Sequence, residues 1–296
     1  DRSVSRGLGD VYKRQKGGLM LEKEKKILQD EYERSLNIVK GSKTHRCFVD
    51  EKIAHSLQVF EAGNYLLKNE NAFKNWSSKL IRMARTAVLF HDVGRFQETV
   101  DKLKYPNVYS DHALLGYDFL RQYPEYNDLR ILLPVKYHSC MIEELYKDHE
   151  YQNVEDPQIK YEIEKITFLV RDADKIANFN LLAHSDKDIR RLFNIELKSK
   201  TARTPLSPAV QACVFEKRPV KREDVRTLSD SILSLICWIF DLNYNSSFSY
   251  IRKNECFDFL LQLLNKSNAD AQSQKKIETA VNDYLNNKYQ QLQGTL

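Results

Sequence analysis

The sequence predicts an all-α protein, and three observations carry that expectation. Its 296 residues include only nine glycines and seven prolines, few for the many turns that a sheet-rich fold requires. Apolar residues recur at the 3 and 4 spacing of a buried helix face: Leu28, Tyr32, Leu36 and Val39 form one stripe, and Val225, Leu228, Ile232, Leu235, Ile236 and Ile239 another. No run of alternating apolar and polar residues marks a strand. With 42% apolar and 29% charged residues the chain can fill a core, which argues against a disordered tail or a fibre.

The elements follow in chain order. Residues 1–18 hold four of the nine glycines and carry +3 of the +5 net charge, which leaves +2 for residues 19–296. This stretch has no apolar core of a secretory signal, residues 4–15 resemble a translated adapter or linker, and Met20 would serve as initiator. Residues 1–19 are therefore expected to be a non-native or disordered leader. Helical spacing then predicts helices near 21–40, 51–69, 76–92, 111–122, 125–147 and 157–183, with Gly94 ending the third. Pro205, Pro208 and Pro219 mark residues 198–219 as a joint. Beyond it, helices are expected near 222–241, 247–265 and 271–290. The expected organisation is a core over 20–198 with a C-terminal helical portion, 199–296, packed on it or offering a dimer surface.

Charge and cysteine usage narrow the function classes. The longest apolar stretch, 232–240, is about half the ~20 residues of a spanning helix, so no membrane partner is expected. Five scattered cysteines without a Cys-x-x-Cys pair suit reduced thiols and a cytoplasmic protein. No basic strip interleaved with aromatics appears in 19–296, so nucleic acid is not the expected partner.

Chemistry concentrates in three predicted helices. His91 shares a face with Leu80, Ala84, Ala87 and Val88; His55 shares one with Val59, Ala62 and Leu66; Asp174 shares one with Val170, Ala177 and Leu181. A single buried histidine is commonly a satisfied core residue, but an apolar-flanked aspartate requires a cation or strong donors. Two imidazoles and two carboxylates (His55, His91, Asp92, Asp174) converging from three helices would supply a metal site. Asp172 lies two residues from Asp174, a rotation of ~200° around the helix, and is expected to be a surface acid or to act behind a ligand.

The order His55, His91-Asp92, and the aspartate of Arg171-Asp172-Ala173-Asp174-Lys175-Ile176 resembles the HD-domain superfamily of metal-dependent phosphohydrolases, over about residues 45–185. The resemblance implies an HD-type helical bundle and the ligand set His55, His91, Asp92 and Asp174. It also implies a divalent cofactor (Mn, Mg, Co, Fe, Ni or Zn), one or two per chain. His112 and His138 stand where two-metal members have further ligands, with Asp92 bridging. Many such members have a His-His pair where this chain has His138-Ser139, so one metal and two both stay open, with phosphate contact or packing as the other uses of these histidines. Arg95, three residues past the pair, stands where members present a basic residue to the substrate, and a guanidinium suits bidentate phosphate recognition. The glutamate of single-metal nucleotidases has no close counterpart, since Glu98 lies further along. Lys136 and Lys175 are weaker candidates for substrate charge. His45, His149 and His184 are expected to be surface or packing residues.

The expected activity is hydrolysis of a phosphate ester on a nucleotide or related small phosphorylated metabolite, with Asp92 and Arg95 as catalytic residues. Two alternatives stand beside it: an HD-type di-iron oxygenase, and a non-catalytic metal- or nucleotide-binding sensor.

Overall fold

The computed structural model describes residues 21–184, 204–268 and 270–293; the expected leader lies outside them. Among the described residues every regular element is helical, and the one bridge between extended residues joins Thr204 to Asn268. No helix among them is long and apolar enough to cross a membrane. The chain forms two compact units, the first comprising residues up to Leu67 with Ala72–Val170, the second Lys68–Asn71 with Arg171 onward. The division falls inside a helix, whereas proline content suggested a joint after residue 198.

The first unit contains α1 (Glu22–Val39), most of α2 (Lys43–Asn69), α3 (Ser78–Phe90), α4 (Gly94–Lys104), α5 (His112–Arg121), α6 (Leu129–Tyr137), α7 (Ile142–Lys147), α8 (His149–Gln152) and the first half of α9 (Pro157–His184). α4 packs on α5, α5 on α6, α3 on α6, and α1 on both α3 and α4. Phe60, Phe90, Phe96, Leu120 and Leu133 are fully buried among them. Apolar burial of this kind stabilises by roughly 1.5–3 kcal/mol per large side chain. It holds the helix ends that carry the polar residues.

Two glycines permit close approaches. A Cβ at Gly63 of α2 would sit 2.7 Å from Val88 Cγ1 of α3, and one at Gly94 would sit 2.1 Å from the His112 carbonyl oxygen and 2.5 Å from the Gly116 nitrogen. Gly94 was expected to end a helix; it opens α4 instead. The backbone turns through 91–93 and becomes helical again at once, because this residue without a side chain lets the start of α4 lie directly against the start of α5.

Other boundaries differ for local reasons. The single helix expected over 125–147 is a 3-10 turn (Pro124–Tyr126) followed by α6 and α7. Asp128 caps α6 by accepting from the Arg130 amide, and Pro134 lies within it.

The second unit contains the rest of α9, then α10 (Pro208–Phe215), α11 (Leu228–Ile236), α12 (Asn245–Lys253), α13 (Asp258–Ser267) and α14 (Ala271–Gln293). α10 lies within the expected joint, with Pro208 at its first turn where a missing N–H costs nothing. A reciprocal Thr227–Asp230 capping box starts α11 later than expected, at Leu228. Glu255, at φ 50°, breaks the helix expected over 247–265 into α12 and α13.

The Gly94 approach gives a direct test. Gly94→Ala forces a methyl group into backbone and is expected to lower stability in chemical denaturation by about 2–4 kcal/mol. Gly41→Ala, whose Cβ meets nothing within 4 Å, is expected to change it by less than about 0.5 kcal/mol.

Candidate metal centre

Two histidines of the first unit are presented by the same device. His91 follows α3 and His138 follows α6, each as the helix's closing residue. His91 Nδ1 lies 3.0 Å from the Val88 carbonyl and His138 Nδ1 lies 2.7 Å from the Val135 carbonyl. A carbonyl oxygen only accepts, so Nδ1 carries the proton in both rings and Nε2 presents a lone pair in the neutral form. Such a bond to the far nitrogen is how metal-binding imidazoles are commonly oriented. His112 is the first residue of α5, and the Asp111 carboxylate caps that helix by accepting from the Ala113 and Leu114 amides. Centroid distances of 5.5 Å (His55–His91), 5.2 Å (His91–His138) and 5.2 Å (His138–His112) link four imidazoles in a row. All four are buried.

Asp92 lies at the centre of this row, 4% exposed. Its Oδ1 is 3.4 Å from His112 Nε2, 3.4 Å from His138 Nε2 and 3.4 Å from Arg95 Nε. Its Oδ2 is 3.8 Å from His91 Nε2 and 3.0 Å from Lys52 Nζ. The two oxygens thus face two different sets of nitrogens. Burial alone would push this carboxyl up, but Lys52, His91, Arg95 and His138 beside it together outweigh that and hold Asp92 well below the usual carboxylate range. His112 is pushed down to about 2, chiefly by burial, against the opposing pull of Asp92. It is therefore neutral, the form that binds metal.

Donor atoms of Asp92, His112 and His138 all lie within 4.8 Å of one another. One carboxylate with neutral imidazoles suits Mn, Fe, Co, Ni or Zn, so these residues fit a divalent cation. His112 Nε2 and His138 Nε2 are 3.4 Å apart. Two imidazole nitrogens aimed at one region, in their neutral forms, suit a shared cation.

The remaining expected residues fall as follows. Arg95 is beside Asp92 and also donates from Nη1 to Glu98 Oε2 at 2.8 Å. Glu98, discounted as too distant in sequence, is buried and bonded to Arg95 because α4 is a helix that places residues three apart on one face. Lys52 was not anticipated. It precedes His55 by three residues on α2, and that i, i+3 relation was the available signal. Lys136 pairs with Asp148 at 2.7 Å and lies over the Tyr117 and Tyr137 rings.

The second unit carries Asp172, Asp174 and Lys175. Asp172 is not a surface acid: it is fully buried and accepts from the Asn243 amide and Nδ2, the Tyr244 amide and Ser247 Oγ at 2.7–3.1 Å. Lys175 is buried and lies 2.9 Å from Asp241 Oδ2 beside Arg171. Asp174 is half-buried and accepts from Asn178 Nδ2 at 2.8 Å. His45 contacts Ser42 and His149 contacts Asn153; the His184 side chain lies outside the described residues.

The depressed His112 gives a pH test on metal-free protein. The unfolded chain takes up this proton near 6.5 and the folded chain only near 2. Its contribution to stability is thus complete above pH 6.5 and is lost as pH falls below it. The loss approaches about 1.4 kcal/mol per pH unit. His112→Gln is expected to flatten the fall of denaturation free energy between pH 6.5 and 4.5; an unchanged slope would contradict the assignment.

No curated protein and no solved structure gives a significant match to the chain. The family model described as HD domain matches residues 53–178, a span that contains His55, the His91-Asp92 pair, His112, His138 and Asp174. Ordered histidines around a His-Asp turn in an all-helical unit accord with that match, which supports HD-domain superfamily membership for residues 53–178.

Proposed function

We propose that the protein is a metal-dependent phosphohydrolase acting on a phosphate ester of a nucleotide or a related small phosphorylated metabolite. The observation that carries this reading is Asp92, a buried carboxylate with one oxygen toward His112 and His138 and the other toward His91, flanked by Lys52 and Arg95. His55, His91, Asp92 and Asp174 are proposed to hold one divalent ion, and Asp92, His112 and His138 a second. Asp174 is preferred to Asp172 because the Asp172 carboxylate is committed to backbone and side-chain donors. α9 also runs unbroken from Pro157 to His184, one apolar face carrying Val170, Asp174 and Ala177.

A bound divalent ion supplies Lewis acidity and lowers the pKa of coordinated water toward neutrality. The chain's residues do the rest. Asp92 anchors the centre and stays ionised, since neighbouring charge outweighs its burial. The carbonyls of Val88 and Val135 fix the tautomers of His91 and His138. Arg95, held by Glu98, is oriented to take a non-bridging phosphate oxygen and to offset charge as it develops. Those basic residues favour a phosphate substrate over the di-iron oxygenase reading, for which dioxygen uptake would be the signature.

The test is metal analysis of purified protein followed by a phosphatase and phosphodiesterase screen with each divalent ion. Turnover in air-free buffer is expected with at least one ion, and Asp92→Ala is expected to lose it by at least about 10³-fold; full turnover by Asp92→Ala would refute the mechanism. The two aspartates of α9 separate by readout. Asp172→Ala is expected to cost about 3–5 kcal/mol of stability by stranding buried donors, while Asp174→Ala lowers metal content with a smaller stability loss.

A further inference from the structure

Lys52 and Arg95 reach Asp92 from different helices and opposite oxygens. Lys52, on α2, lies 3.0 Å from Oδ2, and Arg95, on α4, lies 3.4 Å from Oδ1. A buried carboxylate is balanced by one cation. Here three basic side chains, Lys52, Arg95 and Lys102, meet two carboxylates, Asp92 and Glu98, in one connected set of contacts. The exposures point the same way: the Asp92 side chain is 5% exposed, whereas Lys52 is 18% and Arg95 29% exposed. The two cationic side chains are thus more open to solvent than the carboxylate between them. Two cations flanking one acid at its more exposed side suit recognition of a multiply charged anion.

We propose that Lys52 is a substrate-binding residue that, with Arg95, forms two cationic arms around one phosphate group, and that the pair selects a dianionic phosphomonoester over a monoanionic diester. The substrate class rests on the phosphohydrolase reading; the phosphate binding itself does not require turnover. Lys52 supplies a point charge on a flexible stem and Arg95 a planar fork, so the arms can hold different oxygens of one phosphate. A diester offers a single negative charge to the same two arms and gains less from the second.

The experiment measures inorganic phosphate binding by calorimetry to metal-loaded wild type, Lys52→Met and Lys52→Arg, with metal content determined on each sample. The hydrolysis ratio of p-nitrophenyl phosphate to bis(p-nitrophenyl) phosphate is measured in parallel. Lys52→Met is expected to retain its metal, bind phosphate about ten-fold more weakly or worse, and lower the monoester-to-diester ratio by a similar factor. Lys52→Arg, which keeps the charge, is expected to stay within about three-fold of wild type in phosphate affinity. Lys52→Gln provides the same comparison if Lys52→Met does not fold. Unchanged phosphate affinity in Lys52→Met overturns the proposal. So does loss of metal in Lys52→Met that Lys52→Arg restores, since Lys52 would then act through Asp92. Phosphate bound through Lys52 by a protein that hydrolyses neither ester would refute the phosphohydrolase reading and leave the binding site standing.

Discussion

The structure of the first unit depends on keeping the Asp92 carboxylate ionised where water hardly reaches it. An isolated buried carboxylate would neutralise itself, because desolvation costs several kcal/mol even after relaxation. Here Lys52, Arg95 and three histidines lie within 4 Å of its two oxygens. Each of those groups comes from a different position in the helical frame: α2, the 91–93 turn and α4 behind it, the start of α5, and the end of α6. The packing of α4 on α5 and of α3 on α6 is what brings these helix ends to one place.

Local rules serve that convergence in small ways. His91 and His138 close their helices and use the carbonyl three residues back to set the proton on Nδ1. Asp111 caps α5 and so fixes where its first residue, His112, begins. Gly94 removes the one side chain that would separate the starts of α4 and α5. Capping, tautomer and close approach are each worth about a kcal/mol or a few, and here each also aims a donor atom at Asp92 or keeps that aim.

The helical class and the faces that carry His55 and His91 were legible from spacing, while His112 and His138 entered through the family resemblance. Those faces were legible because a buried helix face repeats at 3 and 4 residues and because polar residues on such a face stand out. Lys52 and Glu98 were not. Lysines and glutamates are so common on solvated faces that their type carries little information, and Glu98 became relevant only once α4 existed. That helix was hidden because Gly94 signals a stop in sequence while serving as a close approach in space. The sequence left Asp172 as a surface acid or one acting behind a ligand, because its partners, Asn243, Tyr244 and Ser247, are some 70 residues away. Lys136 and Lys175 offered charge in sequence, but Asp148 and Asp241 take it up.

The proposed metal centre depends on the charge of the Asp92 carboxylate and not merely on its shape. Calorimetric titration of metal-free protein with Mn²⁺, comparing wild type with Asp92→Asn, tests it most directly. The substitution keeps the volume and the hydrogen-bonding oxygen while removing the negative charge. Wild type is expected to bind at least one ion per chain, and Asp92→Asn to bind at least about 100-fold more weakly with fewer ions bound. Equal stoichiometry and equal affinity in the two proteins would contradict the account.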